Sequence, residues 1–331
     1  MKTTLKIAVV LLCVAAVSGW AMPASESTGR GVRIGIAKIV QHEALDACEK
    51  GIQDALRNRG INATFDLQNA NGDMGTAAQI ANKFLRDRVD VAVGIATPTA
   101  VALANAIKDI PVVFSAITDP IAANLVTSLD RGEGNVTGFS DGLPTADHIR
   151  MFQQVAGIRT LGFLYTSSEE NSLSDLAKVQ EACRTLGITL VAQSINTSAE
   201  LRQAAQTIIG RVDGIYIGTD NGVFSALPAL IQVCQDAKKP LFSSDVTAAV
   251  NGGCFIANGF NYYAGGLATG EIVADILQGK NPADIPVRFL TTAEMDLLVD
   301  LDAAANCGIT IPQNILSQAN YIYQNGRLTQ R

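Results

Sequence analysis

The sequence predicts an α/β fold made of two doubly wound parallel-sheet lobes that are joined by a multi-strand hinge. Apolar segments of strand length alternate with amphipathic segments of helix length, the order found when helices connect parallel strands. The alternation occurs twice along the 331 residues, and a chain of this length is expected to form two domains. Aromatic residues make up only 5% of the chain, which favours buried strands under tightly packed helices.

The first pass of the alternation covers residues 32–115. Short apolar runs predict strands at 32–37, 63–68, 89–95 and 112–115. Segments with apolar residues every three or four positions predict helices at 43–59, 76–88 and 98–107. Because a helix follows each strand, the strands are predicted to run parallel to one another.

The second pass repeats this order from residue 159 on. Predicted strands and helices alternate at 160–165, 171–186, 189–193, 199–210, 214–218, 222–236 and 241–243. The segments that start at Arg88 and Arg211 both begin with Arg-Val-Asp, and Pro111 and Pro240 introduce the next strand in each. The repeat length of about 125 residues is far longer than that of solenoid repeats and therefore predicts a duplicated domain.

A third, shorter part starts at Phe260. It contains a predicted helix at 262–278, a strand at 287–291 and further pieces at 293–299 and 312–316. Such remainders indicate that the chain crosses between the lobes, and several short crossings form a hinge. We expect the crossings near 137–142, 258–261 and 288–292. The prediction is one lobe from 30–138 plus 260–288 and another from 139–259 plus 289–331.

Residues 1–24 have the three-part form of a secretory signal peptide. Two lysines precede the apolar run IAVVLLCVAAV, and small residues follow it, so cleavage after Ala21 or after Ala24 fits the sequence. Cys13 lies inside the apolar run behind a bulky leucine, which argues against a lipid-anchored form. The sequence therefore predicts a periplasmic protein.

Charge, cysteines and missing motifs exclude several classes of function. The net charge of −6 without a basic cluster argues against nucleic-acid binding. The five cysteines beyond residue 24 are scattered without a C-x-x-C pair, which argues against a metal site and leaves one or two disulfides open. No nucleophile-elbow, P-loop or zinc-protease motif occurs, and GVRIGIAKI lacks the dinucleotide fingerprint. No catalytic residue and no cofactor is therefore predicted.

The candidate site lies where predicted strands end. In open α/β sheets the ligand crevice lies beyond the carboxyl ends of the strands, so two facing sheets would surround a shared cleft with these loops. Superposing the two passes aligns Thr97 with Asp220 and Ser115 with Ser244. Polar residues thus lie at the ends of corresponding strands in both lobes. This arrangement is the feature of the sequence that says most about function.

In the first lobe the candidates suit an anion. Thr97 and the proline after it predict a helix N-terminus, where free N–H groups and a hydroxyl can bind a carboxylate; the same pair also fits a simple N-cap. The hydroxyls of Ser115 and Thr118 can hold the same carboxylate. Asp119 either joins them or forms an Asx turn before the following proline.

In the second lobe the candidates suit a cation. Asp220 and Asn221 precede a predicted helix and can either cap it or contact a ligand. Asp245 follows a strand and has no obvious capping role, so in a dry cleft its carboxylate needs a partner such as an ammonium group. Tyr165, at another strand end, is predicted to form a wall of the ligand site.

The remaining candidates lie in loops after the first strand of each pass or on the first crossing. They are Gln41, His42, Ser168, Glu169, Asn171, Ser140 and Asp141. Polar loop residues are often only solvated, but the position of these in the duplicated architecture favours the cleft. His148, by contrast, is predicted to be an ordinary helix-surface residue.

Nine stretches of the chain resemble one protein family. In chain order they are IVQHEALDACEKGI, FDLQNANGD, VAVGIATPTA, DIPVVFSAITDP, GNVTGFSD, SSEENS, GTDN, PLFSSD and NPADIPV, from about residue 31 to residue 287. With the secretory signal, they resemble the type I periplasmic binding folds. More narrowly, they resemble the ABC-transporter substrate-binding family that includes tryptophan-, tyrosine- and phenylalanine-binding members.

The resemblance implies a function without chemistry. A periplasmic monomer would bind a small solute, with an amino acid, aromatic or not, as the favoured class, and pass it to the membrane permease of an ABC importer. Two alternatives stay open from the sequence. One is a sensory protein that presents its ligand to a membrane receptor, and the other is a binder of a sugar or nucleoside.

Overall fold

Two separate β-sheets are present in residues 31–331, the part of the chain that the computed structural model describes. Both consist mainly of parallel strands connected by helices, as the sequence predicts. The predicted signal peptide and Cys13 lie outside the described residues. Within those residues, no helix is both long enough and apolar enough to cross a membrane.

The first sheet has six strands, and every pair of neighbours is parallel. Its members are β1 (Val32–Lys38), β2 (Ala63–Asn69), β3 (Val91–Ile95), β4 (Val112–Ile117), β5 (Val136–Ser140) and β11 (Arg288–Phe289), in the spatial order β11-β5-β4-β3-β1-β2. Helices α1 (Glu43–Asn58), α2 (Met74–Asp87), α3 (Thr97–Ala106) and α9 (Tyr262–Leu277) pack on it. We call this sheet with its helices lobe 1.

The strand order of lobe 1 opens a crevice at one edge of the sheet. β1 lies between β2 and β3, so the chain direction along the sheet reverses there. The loops after β1 and β3 therefore leave on opposite faces, which is where open α/β sheets bind ligands. Every residue of β3 and β4 is buried, because both faces of a central parallel strand are covered by helices.

The helices α1 and α9 are in close backbone contact. A Cβ atom added to Gly266 would lie 2.2 Å from the carbonyl oxygen of Cys48, and one added to Gly51 would lie 2.3 Å from that of Tyr263. Only glycine leaves room for such an approach. This contact fixes α9, although it comes late in the chain, onto lobe 1.

The second sheet has eight strands and is mixed at one end. Its members are β6 (Thr160–Thr166), β7 (Thr189–Ile195), β8 (Gly214–Ile217), β9 (Leu241–Ser243), β10 (Ile256–Phe260), β12 (Met295–Asp300), β13 (Tyr321–Gln324) and β14 (Arg327–Gln330). The spatial order is β14-β13-β12-β10-β9-β8-β6-β7. The pairs β10–β12 and β13–β14 are antiparallel, unlike the wholly parallel sheet that the sequence predicts.

Seven helices accompany the second sheet in the chain, and we call this set lobe 2. They are α4 (Thr145–Ala156), α5 (Glu170–Leu186), α6 (Leu201–Ile208), α7 (Asn221–Ser225), α8 (Leu227–Asp236), α10 (Leu301–Asn306) and α11 (Gln313–Leu316). The chain passes between the sheets after β5, after β10 and after β11. The residue boundaries predicted for the two lobes stay a prediction.

Three elements differ from the sequence analysis, each for a local reason. The predicted helix 222–236 is two helices, α7 and α8, because Pro228 lies in the first turn of α8 and cannot continue the helix before it. The predicted strand 287–291 is reduced to β11. The hairpin β13–β14 was not predicted, although Asn325 and Gly326 at its turn both have positive φ, as a two-residue hairpin loop requires.

The assignment of His148 to the helix surface is wrong. The residue is fully buried, and its Nδ1 lies 3.1 Å from the hydroxyl of Tyr216. Its ring also packs at 5.5 Å from the ring of Phe242. The apolar face of α4 covers the second sheet, and a polar ring on that face is buried with it. The five cysteines in the described residues are free thiols.

Candidate functional site

A narrow cavity lies between the two sheets, at the carboxyl ends of their strands. About 320 Å³ between its walls is free of protein atoms, a volume that includes space open to solvent. Lobe 1 supplies His42, Leu45, Ala96, Thr97, Ala116 and Thr118, and lobe 2 supplies Asn171, Thr219, Asn221, Phe224 and Asp245. Asp141, after β5, and Tyr262, at the start of α9, complete the wall.

Two alanines give the cavity an unusual backbone. Ala96 follows β3 with φ 73° and ψ 154°, and Ala116, at the end of β4, has φ 56°. Residues other than glycine rarely adopt such angles, and backbone strain of this kind clusters at functional sites. The strain at Ala96 turns the chain directly from β3 into α3, so the first turn of that helix points at the cavity.

Buried polar atoms without a hydrogen-bond partner converge on this cavity from both lobes. They are His42 Nδ1 and Nε2, Thr97 Oγ1, Asp141 Oδ1, Asn171 Oδ1 and Asp245 Oδ2. An unpaired buried donor or acceptor typically costs about 1–3 kcal/mol, so proteins retain few of them. Five such residues around one small space are explained if a polar molecule binds there.

Two of these residues, Asp141 and Asp245, are carboxyl groups. Among the described residues, no lysine or arginine lines the cavity. The Tyr262 hydroxyl donates to Asp141 Oδ2 at 2.8 Å, and the Thr247 amide donates to Asp245 Oδ1 at 2.7 Å. Burial raises the pKa of Asp141 to about 6 and that of Asp245 to about 7. The two groups can therefore bind a cation, or hold protons when none is present.

A buried glutamate orients two amides at the cavity wall. Glu169 Oε2 accepts from Asn171 Nδ2 at 3.0 Å and from Asn221 Nδ2 at 2.6 Å. Asn171 Nδ2 also donates to the carbonyl of Thr219 at 2.7 Å. With its NH₂ group fixed in this way, Asn171 presents its oxygen to the cavity as an acceptor. Burial, followed by the nearby Asp220 charge, raises the pKa of Glu169 to about 7.

Asp220 lies behind the cavity wall and is fully engaged by the protein. Its carboxylate accepts from the Thr166 amide at 2.5 Å and hydroxyl at 2.7 Å, from the Ser172 hydroxyl at 2.6 Å and from the Val223 amide at 2.8 Å. It does not line the cavity. Of the two roles that the sequence allowed, the structure gives it that of capping α7 and tying this helix to β6.

Several other predicted site residues also lie outside the cavity lining. Ser115 is buried inside lobe 1 between Cys48 Sγ, at 3.1 Å, and Thr269 Oγ1, at 2.6 Å. Ser140 donates to the Ile117 carbonyl at 2.6 Å. Tyr165 is partly buried and stacks on Phe163 against the core of lobe 2.

Gln41 is exposed beside Asp46, to which its side chain donates at 3.4 Å.

Ser168 and Asp119 lie near the cavity but not in its lining. Ser168 lines a neighbouring cavity that also contains Glu169. Asp119 lies at the mouth, where its carboxylate accepts from Ser174 Oγ at 3.3 Å and lies 3.8 Å from Lys178 Nζ. Because Asp119 follows β4 and the other two lie on α5, this contact joins the lobes.

Further contacts hold the lobes together around the cavity. Thr118 Oγ1 and Thr219 Oγ1 are 2.6 Å apart, and both are buried. Asn251 donates to Glu43 at 3.2 Å on another side of the cleft. The lobes are therefore in a closed arrangement.

An aromatic pair forms part of the wall. The rings of His42 in lobe 1 and Phe224 in lobe 2 have centroids 5.9 Å apart and are tilted by 38°. Burial lowers the pKa of His42 to about 4, so its ring is neutral near pH 7. Sequence reasoning did not select four residues of the lining, Leu45, Thr219, Phe224 and Tyr262. In a sequence, an apolar residue after a strand has the same pattern whether it faces the core or a ligand. Among the missed residues, only Thr219 could have been found, because it stands beside Asp220 at a strand end.

Comparison with known proteins places this geometry in context. The chain is 35% identical over 267 residues to the tyrosine-binding protein of Clostridioides difficile (strain R20291), a match covering 79% of this chain and 77% of the relative. It also superposes on an ABC domain from Streptococcus pneumonia solved in complex with L-Trp. That match has a TM-score of 0.84 and 32% identity, and it covers 88% of this chain and all of the other.

A third match bears on the arrangement of the lobes. The ligand-free, open structure of a substrate-binding protein with adhesive properties from Clostridium difficile is 33% identical and covers 89% of this chain and all of its own. Its TM-score is only 0.65, although its identity is within one percentage point of that of the L-Trp complex. The lower score fits the closed arrangement that the contacts between the lobes establish here.

The family assignment rests on nearly the whole described chain. The sequence profile of the ABC transporter substrate binding proteins matches residues 33–322, which include both sheets except for part of β1 at one end and the last strand and a half at the other. The chain belongs to the family of ABC transporter substrate-binding proteins.

Proposed function

We propose that this chain is the extracytoplasmic solute-binding component of an ABC importer and that it carries an α-amino acid with an aromatic side chain. The observation that carries the proposal is the convergence of unpaired buried polar atoms from both lobes on one cavity. The names of the related proteins support an aromatic ligand, since one binds tyrosine and another was solved with L-Trp. The ligand leaves the protein chemically unchanged.

The ligand's ammonium group binds between Asp141 and Asp245. Each carboxyl group uses one oxygen within the protein and keeps the other unpaired, and Asn171 contributes a third free acceptor. An ammonium group has three donors and no acceptor, so these three oxygens match it in number and kind. Charge-assisted bonds to the two carboxylates supply most of the recognition.

The carboxylate of the ligand binds at the N-terminus of α3. Thr97 Oγ1 is buried and unpaired, and it precedes Pro98 in the first turn of this helix. Free N–H groups and the positive end of a helix favour an anion. Leu45 and Phe224 are the larger apolar side chains of the lining, and they receive the aromatic ring.

Binding stabilises the closed arrangement because the ligand contacts both lobes. Thr97 belongs to lobe 1, whereas Asn171 and Asp245 belong to lobe 2, so the complete set of contacts exists only when the lobes are together. A ligand shifts an equilibrium by its difference in affinity for the two states. The closed, loaded monomer is then the form that an ABC permease accepts at the outer face of the membrane.

Calorimetric titration of the mature protein with each of the twenty amino acids tests the proposal. We expect heat from one or more aromatic amino acids and none from lysine or glutamate, whose charged side chains do not suit the apolar end of the cavity. Native mass spectrometry of freshly purified protein should detect the mass of the same amino acid. Heat only from sugars or nucleosides, or from no amino acid at all, would overturn the amino-acid assignment.

A further inference from the structure

His42, at the N-terminus of α1, is a partly buried residue whose ring has an unusual environment. Both of its ring nitrogens are buried, and within residues 31–331 neither has a hydrogen-bond partner. Asn221 lies close enough to act on its pKa, yet no hydrogen bond of normal length and angle reaches the ring. Burial keeps the ring neutral near pH 7.

Packing alone does not account for a histidine at this position. The ring lies against Phe224, and Leu45 follows on the same helix. A phenylalanine or a leucine would make the same apolar contacts without burying two polar atoms. A neutral imidazole carries one N–H donor and one lone-pair acceptor, and leaving both unpaired in a buried site is unfavourable. The two ring nitrogens of His42 would therefore be satisfied by a polar group of a ligand in the cavity.

The charges that act on His42 differ from those that act on the two carboxyl groups assigned to the ligand's ammonium group. The Tyr262 hydroxyl donates to Asp141, and the charge of Asp141 acts on Asp245. The charges that act on His42 come instead from Asp46 and Lys38 of lobe 1. His42 and the apolar side chains beside it thus form the end of the cavity that receives the ligand's side chain.

We propose that His42 determines specificity by hydrogen bonding to a hydroxyl group on the ligand's aromatic ring, so that the protein selects a phenolic amino acid over phenylalanine. This inference rests on the proposed function and adds the identity of the side-chain group. A hydroxyl can donate to the unprotonated ring nitrogen or accept from the ring N–H, so it can pair with either tautomer. A site built around such a bond strongly rejects an analogue that lacks the hydroxyl, because the protein group is then left unpaired.

The test is calorimetric titration of wild type and variants with L-tyrosine, L-phenylalanine and L-tryptophan. For wild type we expect tyrosine to bind at least about 100-fold more tightly than phenylalanine. In His42→Phe this ratio should fall below about tenfold, mainly through weaker tyrosine binding. His42→Gln keeps a donor and an acceptor and should retain more of the preference than His42→Phe does. His42→Leu replaces His42→Phe if circular dichroism finds the latter unfolded.

Asp245→Asn is the matched control at the other end of the ligand. It should weaken tyrosine and phenylalanine by similar factors and leave their ratio unchanged, because both ligands carry the same ammonium group. Wild type that binds phenylalanine within threefold of tyrosine, or tryptophan more tightly than tyrosine, overturns the role of His42 while the proposed function stands. Equal losses for both ligands in His42→Phe also overturn it. Wild type that binds none of the three overturns the proposed function itself.

Discussion

Asp141, Glu169 and Asp245 are carboxyl groups buried around one cavity. Burial raises the pKa of each, to about 6 for Asp141 and about 7 for the other two. In the unfolded chain such groups titrate near 4. Between about pH 4 and pH 7 the folded protein therefore holds more protons than the unfolded chain, so the free energy of unfolding decreases as the pH rises through this window.

We predict that the ligand-free protein melts at a lower temperature at pH 7.5 than at pH 5.0, by about 2 °C or more. A saturating amino acid should reduce this loss, since its ammonium group stabilises the ionised carboxylates. Scanning calorimetry at both pH values measures the effect. In Asp245→Asn the loss without ligand should be smaller, because one of the three groups no longer titrates. An unchanged loss in that variant would contradict the assignment to the cavity carboxyl groups.

Ser115 shows how far the positions of single residues could be predicted from the sequence. Sequence reasoning selected polar residues at strand ends, and the structure brings His42, Thr97, Thr118, Asp141, Asn171, Asn221 and Asp245 together around the cavity. Their contact with a ligand stays a prediction. Ser115 was selected by the same rule, yet it faces into lobe 1, because side chains alternate between the two faces of a strand. Strand ends are visible in a sequence, whereas the direction of each side chain depends on where the strand ends to within one residue.

At the level of elements, α7 is a short helix whose position depends on one carboxylate. Asp220 caps it through the Val223 amide and ties it to β6 through the Thr166 amide and hydroxyl. The helix carries Asn221 and Phe224 into the cavity wall. The sequence of strands and helices along the chain could be predicted in both passes, because alternation and duplication repeat the same signal. The dependence of an element on one side chain could not.

We predict that Asp220→Ala lowers the free energy of unfolding by about 2–4 kcal/mol, because a helix cap and further buried hydrogen bonds are lost together. Urea denaturation measures the change. Asp73→Ala is the control. Asp73 caps α2 through the Thr76 amide at an exposed site, so its loss should lower the free energy of unfolding by less than Asp220→Ala does. Equal costs for both variants would indicate that the network around Asp220 adds nothing beyond a cap.

At the level of the whole molecule, closure depends on few direct contacts between the lobes. The buried pair Thr118–Thr219 is one of them, and the Thr219 hydroxyl also donates to Asp175 at 2.8 Å. Thr118 is therefore the donor within the pair. Its hydroxyl can reach Thr219 only when the lobes are together, so it stabilises the closed arrangement specifically.

Thr118→Val keeps the shape of the side chain and removes this donor. We predict that the bound ligand dissociates about 3- to 30-fold faster, since a buried hydrogen bond contributes about 0.5–1.5 kcal/mol and leaves an unpaired acceptor when broken. Stopped-flow fluorescence with a competing ligand, or surface plasmon resonance, measures the dissociation rate. Thr207→Val removes a hydroxyl that bonds only within α6 and should leave the rate unchanged. A faster rate in both variants would argue against closure as the cause.

The close contact between α1 and α9 also has a consequence for the order of events during synthesis. α1 is made early, but the helix that packs against Gly51 and Cys48 arrives only after all five strands β6 to β10 of the other lobe. Until residues 262–289 have left the ribosome, the first lobe lacks a helix and its edge strand β11. The nascent chain is therefore unable to complete its first lobe until most of the second lobe has been synthesised.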